Sequence, residues 1–285
     1  MSARTKLFAL IGDPVERSLS PTMHNAAFGA LGLDCTYVAL RVPRAMLADA
    51  VAGVRAMGMA GLNVTHPHKV GIVGLLDELD ESAEMVSAVN TVKNERGKLV
   101  GFNTDGRGAT LALEREAGKL RGRRVLLLGA GGAARAIAFS LVQAGARLTI
   151  ANRTASRAKR LAAAIDRGLG VGVAQVSLEK RALADAVKRA DILINATTTG
   201  MSPNVNDTLV TAGMMHRGLM VNDIVYEPVR TRLLREAKKA GARTVNGLGM
   251  LVCQGALAFE IWTNKRAPIK VMEAAVKQEL RRRGT

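Results

Sequence analysis

The stretch that most constrains this chain lies between Val125 and Ala136, where an apolar segment stops at a glycine and a helix of small residues begins. Residues 125–128 read Val-Leu-Leu-Leu, which predicts a buried strand. The residues that follow have the spacing Gly-x-Gly-x-x-Ala. Glycine lets the backbone turn tightly beside a phosphate, and the N–H groups of the new helix attract anions. We therefore predict a dinucleotide site formed by Gly129, Ala130, Gly131, Gly132 and Ala133.

The charge balance is strongly basic, with 41 Lys and Arg against 24 Asp and Glu, for a formal net charge of +17. Such a balance suits nucleic acid, but the basic residues are scattered and aromatic residues amount to only 3%, which leaves no stacking platform. We favour an anionic small ligand and a solvated basic surface instead. We expect no nucleic-acid partner.

The remaining composition indicates a soluble, cytoplasmic protein. No signal-peptide pattern occurs at the N-terminus, and no apolar run approaches the roughly 18 residues of a membrane span. Cys35 and Cys253 are far apart and lack metal-ligand spacing, so we interpret them as free thiols in a reducing compartment. We expect no metal and no membrane partner.

The N-terminal segment begins with a predicted buried strand that ends at Gly12. Pro21 then suits the first turn of a helix, with Ser20 as its N-cap. A second interpretation stays open, because the hydroxyls of Ser18 and Ser20 could together hold a carboxylate beside the helix N–H groups. His24 is interpreted as structural.

Polar residues recur at predicted strand ends in this half of the chain. A predicted strand over 61–65 ends in Thr65 and leads to Lys69, and two later strand ends carry Asn90 and the pair Asn103 and Asp105. Each could be turn chemistry or a surface lysine alone. Their recurrence favours a shared pocket, because ligands bind at the carboxyl edge of α/β sheets.

The strand over 147–151 is followed by Asn152-Arg153-Thr154-Ala155-Ser156-Arg157. A site for NAD normally carries Asp or Glu here for the ribose hydroxyl. Two arginines attract a 2′-phosphate instead, which favours NADP over NAD. The alternative is an ordinary basic helix start, although arginines there oppose the helix dipole.

Further strands near 191–201, 219–226 and 245–250 alternate with helices, which predicts a doubly wound parallel sheet. An apolar helix over 251–262 then carries Gln254. This glutamine is either satisfied in the core or bound to a ligand, because an unpaired buried amide is costly. The helix is expected to pack on the N-terminal domain.

Four runs resemble the shikimate dehydrogenase (shikimate/quinate dehydrogenase) family over nearly the whole chain: Ser18-Leu19-Ser20-Pro21, Asn63-Val64-Thr65-His66-Pro67-His68-Lys69, Ala88-Val89-Asn90-Thr91 and Asn103-Thr104-Asp105-Gly106. The resemblance implies an α/β substrate domain over 1–105, completed by 250–285, and a Rossmann-like NADP domain over 106–249. It implies NADP-dependent, reversible reduction of 3-dehydroshikimate to shikimate, a step of chorismate and aromatic amino acid biosynthesis.

The same resemblance implies roles for individual residues. Lys69 is the main catalytic residue, paired with Asp105. Ser18 and Ser20 bind the substrate carboxylate, and the remaining substrate contacts are Thr65, Asn90, Asp105, Tyr226 and Gln254. On the cofactor side it implies Glu81, Asn152, Arg153, Thr154, Arg157, Ile224 and Gly247. Glu81 also fits an ordinary carboxylate on a helix face.

Two departures from the family pattern stand out, Ser87 where glycine is common and Arg232 where proline is common. They leave room for a quinate or aminoshikimate dehydrogenase of broader specificity. A regulatory nucleotide-binding protein without catalysis is the rival from another class, and the presence of both Lys69 and Asp105 argues against it. The small-molecule substrate is the expected partner, and a homodimer remains open.

Overall fold

The computed structural model describes residues 2–284, and the chain divides into two compact units. The first unit extends to Asp105 and takes in Val252–Gly284, and the second is Gly106–Leu251. Each unit contains one six-stranded sheet with helices, which confirms the predicted α/β fold class. No helix within residues 2–284 is long and apolar enough to cross a membrane.

The helices lie as follows in chain order: Ser20–Ala30 (α1), Leu47–Ala56 (α2), Glu81–Val86 (α3), Asp105–Ala117 (α4), Gly132–Gln143 (α5), Ala155–Leu169 (α6), Lys180–Arg189 (α7), Arg232–Lys239 (α8), Leu248–Thr263 (α9) and Ile269–Arg282 (α10). A 3₁₀ turn, Arg44–Met46, directly precedes α2.

The sheet of the first unit is mixed. Its strands are Lys6–Gly12 (β1), Cys35–Arg41 (β2), Gly61–Val64 (β3), Glu78–Leu79 (β4), Thr91–Glu95 (β5) and Lys98–Phe102 (β6). In the order β2-β1-β3-β5-β6-β4, β1 is parallel to β2 and β3, while β5 is antiparallel to β3 and β6. The strands β5 and β6 form a hairpin whose turn residues, Arg96 and Gly97, both have positive φ (57° and 97°).

Buried apolar side chains form the core of this unit, between its sheet and α2. The buried cluster includes Ile11, Leu62 and Val92 of the sheet and Val51 of α2. Trp262 of α9 donates from Nε1 to the carbonyl oxygen of Val92 at 2.9 Å, so the part of α9 within this unit is attached to its sheet.

The second unit has an all-parallel sheet, as predicted. Its strands are Arg124–Leu128 (β7), Arg147–Ala151 (β8), Ala174–Val176 (β9), Ile192–Asn195 (β10), Met220–Asp223 (β11) and Arg243–Val245 (β12), in the order β12-β11-β10-β7-β8-β9. The central strands β7, β10 and β11 are almost entirely buried. Their apolar residues suit a sheet covered on both faces, whereas β10 and β11 end in the buried polar residues Asn195, Asn222 and Asp223. The strand expected over 219–226 ends at Asp223, so Ile224 and Tyr226 lie in the loop beyond it.

Candidate active site

The polar residues of the first unit meet at one edge of its sheet because of strand direction. The strands β1, β3 and β6 end at the same edge of the sheet. Because β5 is antiparallel to β3 and β6, it begins at that edge. Thr65 therefore follows β3, Asn90 immediately precedes β5, and Asp105 follows β6. Asn90 was expected at the end of a strand, and that expectation is wrong; the antiparallel pairing nevertheless brings it to the same edge.

Lys69 and Asp105 form an ion pair at this edge, with Lys69 Nζ 2.6 Å from Asp105 Oδ2. The Asp105 side chain is 6% exposed and that of Lys69 is 23% exposed. Asp105 is the first residue of α4, where the helix dipole favours a carboxylate. The backbone carbonyl of Lys69 accepts from Val89 N–H at 2.8 Å, so the lysine segment is attached to the chain that leads into β5.

Asn90 is the hub that connects this pair to the rest of the edge. Its Nδ2 donates to Asp105 Oδ1 at 2.8 Å, to Thr104 Oγ1 at 2.9 Å and to Gln254 Oε1 at 3.3 Å. Its Oδ1 accepts from the Thr104 N–H at 2.8 Å. Both oxygens of Asp105 therefore face donors, Lys69 on one side and Asn90 on the other, and these hydrogen bonds fix the orientation of its side chain.

The two serines occupy different positions from those expected. The N-cap residue of α1 is Leu19, and Ser20 is the first residue of the helix, so the prediction of Ser20 as the N-cap is wrong. Ser18 satisfies the exposed backbone instead, because its Oγ accepts from the Ser20 N–H at 3.2 Å. Ser20 is buried, and its hydroxyl is not used for capping.

Thr65 is half-buried and lies against β1. Its N–H donates to the carbonyl oxygen of Ile11 at 2.9 Å, and its methyl group occupies the space that a Cβ on Gly12 would need. In the same strand-end segment His66 is exposed, whereas buried His68 has Nε2 2.7 Å from the carbonyl oxygen of Val42.

No cluster of three or more His, Cys, Asp and Glu side chains that could hold a metal occurs within the described part of the chain.

The glycine loop lies between β7 and α5 in the second unit. Gly129 has φ +113°, and a Cβ there would lie 2.8 Å from the carbonyl oxygen of Ala196. Gly131 is the N-cap residue of α5 and has no side-chain cap, while a Cβ on Gly131 or Gly132 would meet nothing within 4 Å. The first glycine is thus required by the fold, whereas the next two leave space above the helix N-terminus.

Arg153 and Arg157 lie at the start of α6, and both side chains are exposed. Among residues 2–284 neither of them has an ion-pair partner, and the first turn of α6 contains no acidic residue. Asn152 shapes the turn before them, because its Nδ2 donates to the carbonyl oxygen of Thr154 at 2.9 Å. This helix start is therefore exposed and positively charged.

The segment after β11 is held by its neighbours within the second unit. Ile224 N–H donates to the carbonyl oxygen of Asn195 at 3.1 Å, and the carbonyl of Ile224 fills the space that a Cβ on Gly247 would need. Asp223 is fully buried; its carboxylate accepts from Val225 N–H at 3.1 Å, and burial raises the pKa of this group. Tyr226 is half-buried in the same segment.

Glu81 stands apart from these contacts as an exposed residue. It is the first residue of α3, directly after the N-cap Asp80, which accepts from Ser82 N–H. This position suits a carboxylate on dipole grounds alone.

Sequence reasoning missed part of the buried network. Asn63 and Tyr37 lie beside Asn90, and the hydroxyl of Tyr37 donates to Asn63 Oδ1 at 2.8 Å. The signal available was one asparagine in the otherwise apolar strand β3. Its partner, however, lies 26 residues earlier and could not be found from spacing.

Taken together, a parallel sheet with a glycine loop and open arginines defines a dinucleotide-binding α/β protein, whose other unit carries an ion pair between half-buried Lys69 and buried Asp105. Three family models match it: "Shikimate dehydrogenase substrate binding domain" at residues 10–92, "Shikimate / quinate 5-dehydrogenase" at 111–228 and "Shikimate 5'-dehydrogenase C-terminal domain" at 247–277.

Individual relatives agree with these matches. The chain is 52% identical over 284 residues to the shikimate dehydrogenase (NADP(+)) of Methanopyrus kandleri, covering 99% of this chain and 98% of the relative. A shikimate dehydrogenase crystallised with NADP+ superposes with a TM-score of 0.93 at 45% identity, covering 98% and 97%. The Thermus thermophilus enzyme, crystallised with NADP(H) and shikimate, gives 0.87 at 38% identity, covering 96% and 99%. The chain belongs to the shikimate dehydrogenase family.

Proposed function

We propose that this protein catalyses the NADP-linked, reversible reduction of 3-dehydroshikimate to shikimate. The observation that carries the proposal is the Lys69–Asp105 pair at 2.6 Å, held by Asn90 at a sheet edge that also bears Thr65. A secondary alcohol that becomes a ketone needs one group to exchange the hydroxyl proton and others to orient the ring. The family relationship supports this substrate class.

In the proposed mechanism Lys69 Nζ exchanges a proton with the reacting oxygen of the substrate. Asp105 keeps Lys69 in place through Oδ2 and accepts from a ring hydroxyl. The hydroxyls of Ser18 and Ser20 bind the substrate carboxylate beside the N-terminus of α1, where the helix dipole favours an anion. Thr65, Asn90, Gln254 and Tyr226 supply the remaining hydrogen bonds to the ring.

NADP supplies the hydride donor or acceptor when it is bound. The residues fit this cofactor, because Gly131 and Gly132 leave open space at the N-terminus of α5, and unpaired arginines stand at the start of α6. In the proposal the loop N–H groups bind the diphosphate, and the guanidinium groups bind the 2′-phosphate. The residues proposed to hold the cofactor are Gly129, Ala130, Gly131, Gly132, Ala133, Asn152, Arg153, Thr154, Arg157, Ile224, Gly247 and Glu81.

The test is absorbance at the NADPH band with shikimate or quinate as substrate, each with NADP and with NAD. We expect shikimate with NADP to give the largest kcat/KM, whereas faster oxidation of quinate with NAD would overturn the proposal. Lys69→Met should lower kcat by about 10²–10⁴-fold, the usual contribution of a general acid or base. Its matched control, Lys188→Met, removes an exposed lysine of α7 and should leave kcat unchanged.

We propose the cytoplasm as the compartment, which the two free cysteines, Cys35 and Cys253, support. A homodimer is likewise proposed. Leu40, which is 42% exposed on the edge strand β2, supports it, since exposed apolar edges favour association. Sedimentation equilibrium would test the dimer: a monomer at all concentrations would contradict it.

A further inference from the structure

A chain of buried side chains leads from the hub Asn90 to Tyr37, on the far side from the ion pair. Asn63 Nδ2 donates to Thr91 Oγ1 at 3.1 Å and to the carbonyl oxygen of Asn90 at 3.0 Å. Thr91 Oγ1 donates to Asn90 Oδ1 at 3.0 Å, and Tyr37 donates to Asn63 Oδ1 at 2.8 Å. Tyr37, Asn63, Thr91 and Asn90 are all at most 4% exposed.

The direction of these hydrogen bonds is fixed from the tyrosine end. Burial raises the pKa of Tyr37 well above its usual value, with the Ser20 hydrogen bond acting the other way, so the hydroxyl keeps its proton and donates. Asn63 must then turn Oδ1 towards Tyr37 and Nδ2 towards Thr91. Thr91 Oγ1 accepts from Asn63, and it directs its own proton to Asn90 Oδ1 at 3.0 Å, which is nearer than Thr104 Oγ1 at 3.4 Å.

The orientation of Asn90 matters because its amide faces the catalytic carboxylate. With Oδ1 occupied by Thr91 and by the Thr104 N–H, Nδ2 points to Asp105 Oδ1 at 2.8 Å. A flipped amide would place two acceptor oxygens at that distance, and the repulsion would displace Asp105 from Lys69. The Thr104 N–H opposes the flip independently, so the tyrosine contributes part of the orientation.

The ring of Tyr37 is itself held in place. It stacks on His24 with ring centroids 4.5 Å apart and lies 6.0 Å from Trp262. His24 is fully buried, and burial lowers its pKa to about 3, so the stacked imidazole is neutral. Replacing the hydroxyl alone therefore leaves the packing of the ring intact.

We propose that Tyr37 is a positioning residue for the reaction: its hydroxyl, acting through Asn63 and Thr91, keeps the Asn90 amide directed at Asp105 and links this network to Ser20. The proposal rests on the proposed function. Tyr37 touches no reacting atom, so its effect should appear in the kinetics of the substrate and not in those of the cofactor.

The experiment compares Tyr37→Phe, Thr91→Val and the double variant by kcat and KM for shikimate and for NADP. Each single variant should lower kcat/KM for shikimate roughly 3- to 10-fold, the size of one lost hydrogen bond, with KM for NADP unchanged. Because both changes interrupt one chain, the double variant should be scarcely worse than either single variant. Thr91→Ser should recover most of the activity lost in Thr91→Val.

Thr110→Val is the matched control. It removes a fully buried hydroxyl that bonds Arg107 and Ser140, outside this network, and should leave the kinetics unchanged. Additive losses in the double variant, or wild-type kcat/KM in Tyr37→Phe, would overturn the proposal. Failure of the wild-type protein to oxidise shikimate would instead overturn the proposed function, so the two failures are distinguishable.

Discussion

Two substitutions, Gly129→Ala and Gly131→Ala, test the glycine loop. The first should lower the stability of the fold, and the second should weaken the binding of NADP. A Cβ on Gly129 would lie 2.8 Å from the carbonyl oxygen of Ala196, at a φ of +113° that side chains rarely adopt. The backbone strain costs about 1–3 kcal/mol and the steric overlap about the same again, so Gly129→Ala should destabilise the second unit by about 2–6 kcal/mol.

Gly131→Ala should leave stability almost unchanged. Its φ of −84° and ψ of −172° suit any residue, and its Cβ would meet nothing within 4 Å. The new methyl group would nevertheless occupy the space through which a phosphate approaches the N–H groups of α5. We expect Kd for NADP to rise at least about tenfold, which corresponds to roughly 1.4 kcal/mol.

Urea denaturation followed by far-UV circular dichroism measures the stability of both variants, and displacement of fluorescent NADPH by NADP measures Kd for NADP. The single tryptophan, Trp262, belongs to the first unit, so its fluorescence serves as an internal control for unfolding of that unit. Unchanged NADP affinity in Gly131→Ala would refute the phosphate site. Wild-type stability of Gly129→Ala would refute the steric argument.

Three further changes test separate parts of the fold. Arg283 donates to the carbonyl oxygen of Arg17 at 2.8 Å, so Arg283→Met should loosen the loop that carries Ser18 and raise KM for shikimate by about 2- to 5-fold, as steady-state kinetics would show. Ser87 ends α3 with φ 50°, so Ser87→Gly should raise the free energy of unfolding by about 0.5–1 kcal/mol in urea denaturation. The raised pKa of buried Asp223 stabilises the fold fully below about pH 4, and this contribution is lost as pH rises through the folded-state pKa. Asp223→Asn should therefore become more stable relative to wild type as pH increases from 4 to 7, measured by thermal unfolding.

Each of these changes has a control or a contradicting outcome. Arg282→Met removes a guanidinium that pairs with Glu279 but does not donate to Arg17, and it should leave KM unchanged. Ser87→Ala keeps the strained φ and should not be stabilised. A stability difference between Asp223→Asn and wild type that does not vary with pH would contradict the burial argument.

The second unit could be predicted almost completely from the sequence, because its fold follows from local patterns. A short continuous apolar run such as 125–128, bounded by a glycine, is typical of a buried strand, and the small residues after that glycine predict the next helix. The bounds of the elements moved by a few residues at most. The exceptions were the strands expected over 191–201, 219–226 and 245–250, which end at Asn195, Asp223 and Val245. In the second of these, Val225 extends the apolar run although the strand itself ends at Asp223.

The first unit was less predictable because its contacts are long-range. Nothing local reveals that β5 is antiparallel to β3, which is why Asn90 was expected after a strand instead of before one. The N-cap of α1 was assigned to Ser20 from residue type, whereas Ser18 makes the hydrogen bond. Which residue donates and which accepts in a hydrogen bond between strands, as in the pair Tyr37 and Asn63, can be determined only from the three-dimensional structure.

Replacing Arg157 at the start of α6 should change the affinity for NADP and the stability of the fold in opposite directions. Arg157 lies in the first turn of that helix, where a cation opposes the helix dipole, and no ion pair to another described residue compensates it. Stability alone would favour an acid here, so Arg157→Glu should raise the free energy of unfolding by about 0.3–1 kcal/mol. The same change replaces an attraction to the 2′-phosphate by a repulsion, so Kd for NADP should rise roughly 100-fold or more while Kd for NAD changes little. Arg160→Glu, an exposed arginine one turn further along α6, is the matched control. If Arg157→Glu weakens NAD and NADP equally, Arg157 does not contact the 2′-phosphate.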